Sequence, residues 1–97
     1  MKGITMINFN TMFRIINFTD GNYSSYYVGI TNDLKTRLVQ HNVTIPKSYI
    51  CFKMNSKKEA QELEEYCLSL GMQGDTGGGT DESVYVYIYK ITKDTIQ

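Results

Sequence analysis

Arg37 and His41 stand four residues apart, a spacing that places both on one face of a helix. Leu34 and Leu38 lie beside them and would anchor that helix to a sheet. A guanidinium and an imidazole aimed together suit phosphodiester chemistry. The planar fork of arginine can grip a scissile phosphate through two bonds and neutralise the charge that grows in the transition state. Arg37 is the candidate for that role. A plainer reading stands beside it, in which Arg37 is a surface residue paired with Asp33 four positions earlier. His41 also has two readings, as a catalytic imidazole or as a ring in the last helical turn that meets the negative end of the dipole.

A second group of charged residues, Glu59, Glu62, Glu64 and Glu65, falls within one short segment. Ala60, Leu63, Cys67 and Leu70 repeat there at three and four residues and define a buried helical stripe. Glu64 lies nearest that stripe, so its carboxylate faces inward or lines a cleft. Its three neighbours read as a solvated acidic face.

The elements that must position these groups follow from local pattern. Thr11 to Phe18 is rich in β-branched and aromatic residues and runs into Thr19-Asp20-Gly21-Asn22, a turn-forming cluster. A strand from Tyr23 to Gly29 would pair with it as an antiparallel hairpin, with Asp20-Gly21 supplying the positive φ of the turn. Thr31 or Asn32 is placed to cap the helix that carries Arg37, which ends near Asn42, before Pro46. Ser48 to Met54 reads as a third strand. Ser56 and Glu59 have the spacing of a capping box for a second helix, and Gly71 is placed to end it. A glycine-rich loop over 71–80 precedes a last strand within 83–91, whose faces are one aliphatic and one lined by Tyr85, Tyr87 and Tyr89. The expected fold is α/β (α+β), a small mixed, mainly antiparallel sheet with two helices in the order β-β-α-β-α-β.

Length and composition bound the rest. At 97 residues, with 41% hydrophobic and 21% charged residues, the chain is expected to form one domain over 1–97. Its formal net charge of +0 gives no global field for a polyanion, so nucleic-acid affinity must come from a local patch. Cys51 and Cys67 form no Cys-x-x-Cys pair and imply reduced thiols in a cytoplasmic setting. No apolar run reaches the roughly 18 residues of a membrane span, and the first ten residues lack the order of a signal peptide.

The run Tyr26-Tyr27-Val28-Gly29-Ile30-Thr31-Asn32-Asp33-Leu34-Lys35-Thr36-Arg37-Leu38-Val39-Gln40-His41-Asn42 resembles the core signature of the GIY-YIG nuclease superfamily. Tyr27-Val28-Gly29 stands for the Tyr-Ile-Gly half-motif, Arg37 for the arginine of the following helix, and His41 for a histidine found in many members. The resemblance implies a metal-dependent endonuclease with Tyr27, Arg37, His41 and Glu64 as catalytic residues. Glu64, four residues after the small Ala60, is the implied ligand of one Mg²⁺ or Mn²⁺, an ion that keeps most of its waters and borrows substrate oxygens. Tyr27 would act near the attacking water or the phosphate; an ordinary phenol titrates at about 10 and needs help from the metal or a base. The implied partner is nucleic acid, DNA ahead of RNA, and no membrane.

The chain departs from the pattern in its first half-motif. It has no Gly-Ile-Tyr triplet, and Phe13 or Arg14 falls near the place of the first tyrosine. Phenylalanine can fill the space of tyrosine but cannot exchange a proton. The stretch from His41 to the second helix is short, with Lys47 and Lys53 as its positive charges. A second function class therefore stands beside the nuclease: a catalytically weakened GIY-YIG-like module that binds nucleic acid or a protein partner without cleavage. The resemblance spans 11–70 and leaves the later elements to be read by themselves.

Thr76-Gly77-Gly78-Gly79-Thr80 lacks the Gly-Lys-Ser/Thr of a nucleotide-binding loop and precedes a strand, so it reads as a connecting loop. The tyrosine face of the last strand suits either base stacking or packing under a helix or second subunit. If that strand forms a sheet edge, it would also invite a homodimer.

Overall fold

The computed structural model describes residues 9–43, 49–74 and 83–96. In chain order they form α1 (Phe9–Thr19), a 3₁₀ turn (Tyr23–Ser25), β1 (Tyr26–Thr31), α2 (Leu34–Gln40), β2 (Tyr49–Lys53), α3 (Lys57–Leu70) and β3 (Tyr85–Lys90). The class is the expected small α+β fold with an antiparallel sheet. From β1 onward the elements alternate β-α-β-α-β. The glycines at 77–79 lie outside the described residues, as do Pro46 and Lys47.

The first element is a correction. Thr11 to Phe18, expected as a strand, lies within α1, so the sheet has three strands and the fold has three helices. A strand would have placed Arg14 on the same face as Met12, Ile16 and Phe18. The helix instead turns Ile15 and Thr19 fully into the core and packs Met12 and Phe18 against it, a spacing of three and four. Tertiary packing outweighs the strand preference of the β-branched and aromatic residues here. The expected turn is in place, with Asp20 at φ 54 and Gly21 at φ 79, but it ends a helix. Thr19 helps to close that end, donating from Oγ1 to the Ile15 carbonyl at 2.8 Å.

Strand order in the sheet is β1-β3-β2, with both pairings antiparallel. The last strand is thus the central one, hydrogen-bonded on both sides along Tyr85–Lys90. This overturns the expectation of an exposed edge there, and with it a homodimer formed by adding a strand to β3. The outer edge of β1 is met by Gln73, whose carbonyl accepts from the Val28 N–H at 2.9 Å and whose N–H donates to the Tyr26 carbonyl at 2.9 Å.

Alternation along the strands separates two faces. Val28, Ile30, Phe52, Val86 and Ile88 pack with Ile15 of α1 and Ala60, Leu63 and Cys67 of α3. Tyr27, Tyr87 and Tyr89 pack on the other face with Leu38 of α2 and Val43. The tyrosine face therefore lies under a helix, one of the two packing arrangements expected for it.

Local capping fixes the two later helices. Asp33, rather than Thr31 or Asn32, caps α2, its carboxylate accepting from the Thr36 N–H at 3.2 Å and from the Thr36 hydroxyl at 2.9 Å. Thr31 Oγ1 supports that cap by accepting from the Asp33 N–H at 2.9 Å. Ser56 caps α3 as expected, accepting from the Glu59 N–H at 3.2 Å, while Glu59 reaches back to the Asn55 N–H at 3.2 Å. Gly71 ends α3 at φ 115. Among the described residues, no helix is long and apolar enough to cross a membrane.

Candidate active site

Tyr87 of the central strand is the meeting point of the residues singled out by sequence. It is fully buried, and its hydroxyl lies 3.0 Å from His41 Nε2. Burial pushes the Tyr87 phenol above its ordinary pKa, while the charge and a hydrogen bond of the Arg37 guanidinium pull it back down. The charges of Tyr27 and Glu64 act on the same phenol and raise it further. Side chains from β1, α2, α3 and β3 thus share one electrostatic neighbourhood.

His41 follows α2 as its C-terminal cap and turns its ring inward, leaving the residue 6% exposed. The ring centroid lies 5.0 Å from Tyr27, 5.7 Å from Tyr87 and 5.0 Å from Tyr89. Both ring nitrogens have partners. Nε2 meets Tyr87, and Nδ1 meets the Ile96 carbonyl at 2.5 Å and the Tyr89 hydroxyl at 2.9 Å. Tyr27 stacks on Tyr89, its residue-to-residue partner across the β1–β3 pairing, with centroids 5.2 Å apart and planes at 22°.

Arg37 stands one turn before His41 and is partly exposed. Its Nη1 donates to Gln40 Oε1 at 3.1 Å. Asp33, its partner in the plainer sequence reading, is engaged instead by Thr36 in the helix cap. The guanidinium therefore sits at the margin of the cluster, between solvent and Tyr87.

Gly29 makes the arrangement possible. It lies directly opposite Tyr87 in the sheet, and a Cβ there would meet the Tyr87 hydroxyl oxygen at 2.4 Å and Cζ at 2.5 Å. The last residue of Tyr27-Val28-Gly29 is glycine because the phenol lies over its backbone.

Glu64 faces inward from α3 at 2% exposure, as the sequence stripe implied. A carboxylate buried this far requires hydrogen bonds or a compensating charge. Among the described residues, no three His, Cys, Asp or Glu side chains gather as a metal-ligand set. Cys67 lies on the same helix, and burial followed by the Glu64 charge pushes its thiol up to about 12, so it offers no thiolate near neutral pH. Glu64 by itself is an oxygen donor, a ligand type that suits a hard divalent cation better than zinc.

The Cys67 shift gives a stability prediction. The folded state holds this proton more tightly than the unfolded chain, so the contribution is fully present below about pH 9 and is lost as the pH rises towards about 12. Urea titrations of the wild type should show stability falling across that window. Cys67→Ala should remove up to about 1.4 kcal/mol per pH unit of that slope. An unchanged slope would show that Cys67 is not held protonated by the fold.

Two further site residues, Tyr87 and Tyr89, were legible only as one face of a strand. Their role needed the register that sets Tyr89 against Tyr27 and Tyr87 against Gly29. Phe13 and Arg14, the positions near the expected first tyrosine, do not occupy such a place. Phe13 is 55% exposed on α1, and the Arg14 guanidinium lies 4.6 Å from the centroid of Phe52. Comparison with family models, curated proteins and solved structures finds no match to the chain.

Proposed function

We propose that the chain is a metal-dependent endonuclease of the GIY-YIG type that hydrolyses nucleic acid phosphodiester bonds, DNA ahead of RNA. The observation that carries this reading is the packing of Tyr27, Tyr87 and Tyr89 around the His41 ring, with the charges of Arg37 and Glu64 acting on the Tyr87 phenol. Packing alone gives no reason for a cation, an imidazole, a carboxylate and several phenols at one place, because buried polar groups cost stability unless fully satisfied.

Tyr89 answers the departure in the first half-motif. β3 is the antiparallel partner of β1, and Ile88-Tyr89 sets a tyrosine directly against Tyr27. In this reading Arg37 holds the scissile phosphate, and the Tyr87–His41 pair accepts a proton from the attacking water. Glu64 would hold Mg²⁺ or Mn²⁺, which supplies Lewis-acid stabilisation of the phosphoryl oxygens when bound.

A module that binds without cutting is the second reading, and one observation favours it. Glu64 and His41 are 2% and 6% exposed, so a substrate reaches them only if the surface opens. The discriminating experiment is cleavage of labelled single-stranded, duplex and branched DNA and RNA with Mg²⁺ or Mn²⁺, using wild type, Arg37→Ala and Glu64→Ala. Metal-dependent cutting lost in both variants supports the nuclease. Binding without cutting on every substrate supports the module.

A further inference from the structure

We infer that the segment following β3 positions the candidate site, using the main chain of Ile96 to fix which nitrogen of His41 carries its proton. The inference rests on the nuclease reading for its catalytic consequence only.

The segment is tied to the end of α2 by a reciprocal pair of bonds. The Ile96 N–H donates to the His41 carbonyl at 2.8 Å, and the Ile96 carbonyl meets His41 Nδ1 at 2.5 Å. Asn42, at φ 60 just beyond the helix, donates from Nδ2 to the Asp94 carbonyl at 2.7 Å. Inside the segment, the Thr92 N–H donates to Thr95 Oγ1 at 3.0 Å, and the Asp94 N–H to Thr92 Oγ1 at 3.1 Å, so its turn is held locally. The Ile96 side chain is 59% exposed. Attachment to His41 is thus made by backbone groups.

A carbonyl oxygen can only accept, so the nitrogen that faces it must carry the hydrogen. In the neutral ring Nδ1–H then donates to Ile96, and Nε2 is left with its lone pair towards Tyr87. Tyr87 must donate its hydroxyl hydrogen to Nε2, which leaves the phenol oxygen's lone pairs in the field of the Arg37 charge. Tyr89 fits the same polarity, donating to the Ile96 carbonyl at 3.2 Å while its oxygen accepts from Nδ1. One backbone carbonyl thereby orients two phenols and one imidazole. With the other tautomer, Nε2–H would point at Tyr87 and the ring could take no proton from it. Ile96 is therefore a positioning residue for a proton path that runs from Tyr87 to His41.

His41 is the sole histidine of the chain, so its ring nitrogens can be read without ambiguity by ¹⁵N NMR. With the ring neutral, the wild-type spectrum should show Nδ1 protonated and Nε2 unprotonated. A chain ended at Asp94 should shift to a mixture in which the Nε2–H form is populated, and its metal-dependent cleavage should fall by up to about 100-fold, the lower end of a single acid–base contribution because part of the ring population keeps the productive tautomer. Ile96→Ala keeps the backbone groups and should match the wild type in both readouts. Circular dichroism of the shortened chain checks that the fold persists, and if it does not, the wild-type tautomer alone decides. A wild-type ring protonated at Nε2 would overturn the inference, as would a shortened chain that is folded with the Nδ1–H form intact. So would loss of the Nδ1–H form in Ile96→Ala. Absence of cleavage in the wild type would overturn the nuclease reading while leaving the tautomer result to stand by itself.

Discussion

Gly29→Ala should destabilise the fold by about 1–3 kcal/mol, the range for forcing extra volume into a packed interior, and should displace Tyr87 from His41. The added Cβ would meet the Tyr87 hydroxyl and Cζ at 2.4 and 2.5 Å. A flexible neighbour could swing away from such a contact. Tyr87 cannot, because it is fully buried on the central strand, whose backbone is hydrogen-bonded to β1 and β2. The aromatic ring and the strand would have to shift together, carrying with them the 3.0 Å contact to His41 Nε2. Urea denaturation gives the stability change. A double variant with Tyr87→Leu, which removes both colliding atoms, should recover part of the loss that Gly29→Ala adds. If the two substitutions are simply additive, Gly29 is not glycine on account of Tyr87.

Arg37→Ala should lower metal-dependent cleavage by about 10²- to 10³-fold, the cost of removing one charged donor from a developing transition-state charge. Stability should change little, because Arg37 is partly exposed and its bond to Gln40 lies at the surface. Lysine is a poor substitute, since it keeps the charge but lacks the planar fork that makes two parallel bonds to phosphate. Arg37→Lys should therefore recover only part of the rate. The same substitution has a second readout in Tyr87. Removing the guanidinium takes away the charge and hydrogen bond that draw this phenol down, so its pKa should rise in Arg37→Ala. Ultraviolet titration of the tyrosines would follow that shift. Wild-type cleavage in Arg37→Ala would remove the residue from the mechanism, and an unmoved Tyr87 would remove it from the cluster.

The sequence by itself determined the local elements from β1 onward and which of their side chains turn inward. The helical spacing of Ala60, Leu63 and Cys67 implied that Glu64 turns inward, and it does so because a helix repeats its face every three to four residues whatever surrounds it. Ser56 and Gly71 marked the ends of α3 for equally local reasons, one a hydroxyl that reaches a free N–H and the other a residue at ease with positive φ. The alternation of Tyr85, Tyr87 and Tyr89 with Val86 and Ile88 fixed two unlike faces of β3. None of these features depends on what lies far away in the chain.

The tertiary structure decided the rest. The segment before Asp20 carries residues that favour strands, yet its helical spacing brings Met12, Ile15 and Phe18 onto one face, and burial selects that spacing as α1. Which strand would lie in the centre could not be read locally. Pairing partners are chosen among distant segments, and register is set where buried faces meet. That choice places β3 between β1 and β2, sets Tyr89 against Tyr27 and Tyr87 against Gly29, and leaves β3 without the open edge a dimer would use. The partners of His41 were equally hidden, because the Tyr87 hydroxyl and the Ile96 carbonyl are 46 and 55 residues away in sequence. Residue type and local spacing told which side chains turn inward, and the long-range pairing of strands told which of them meet.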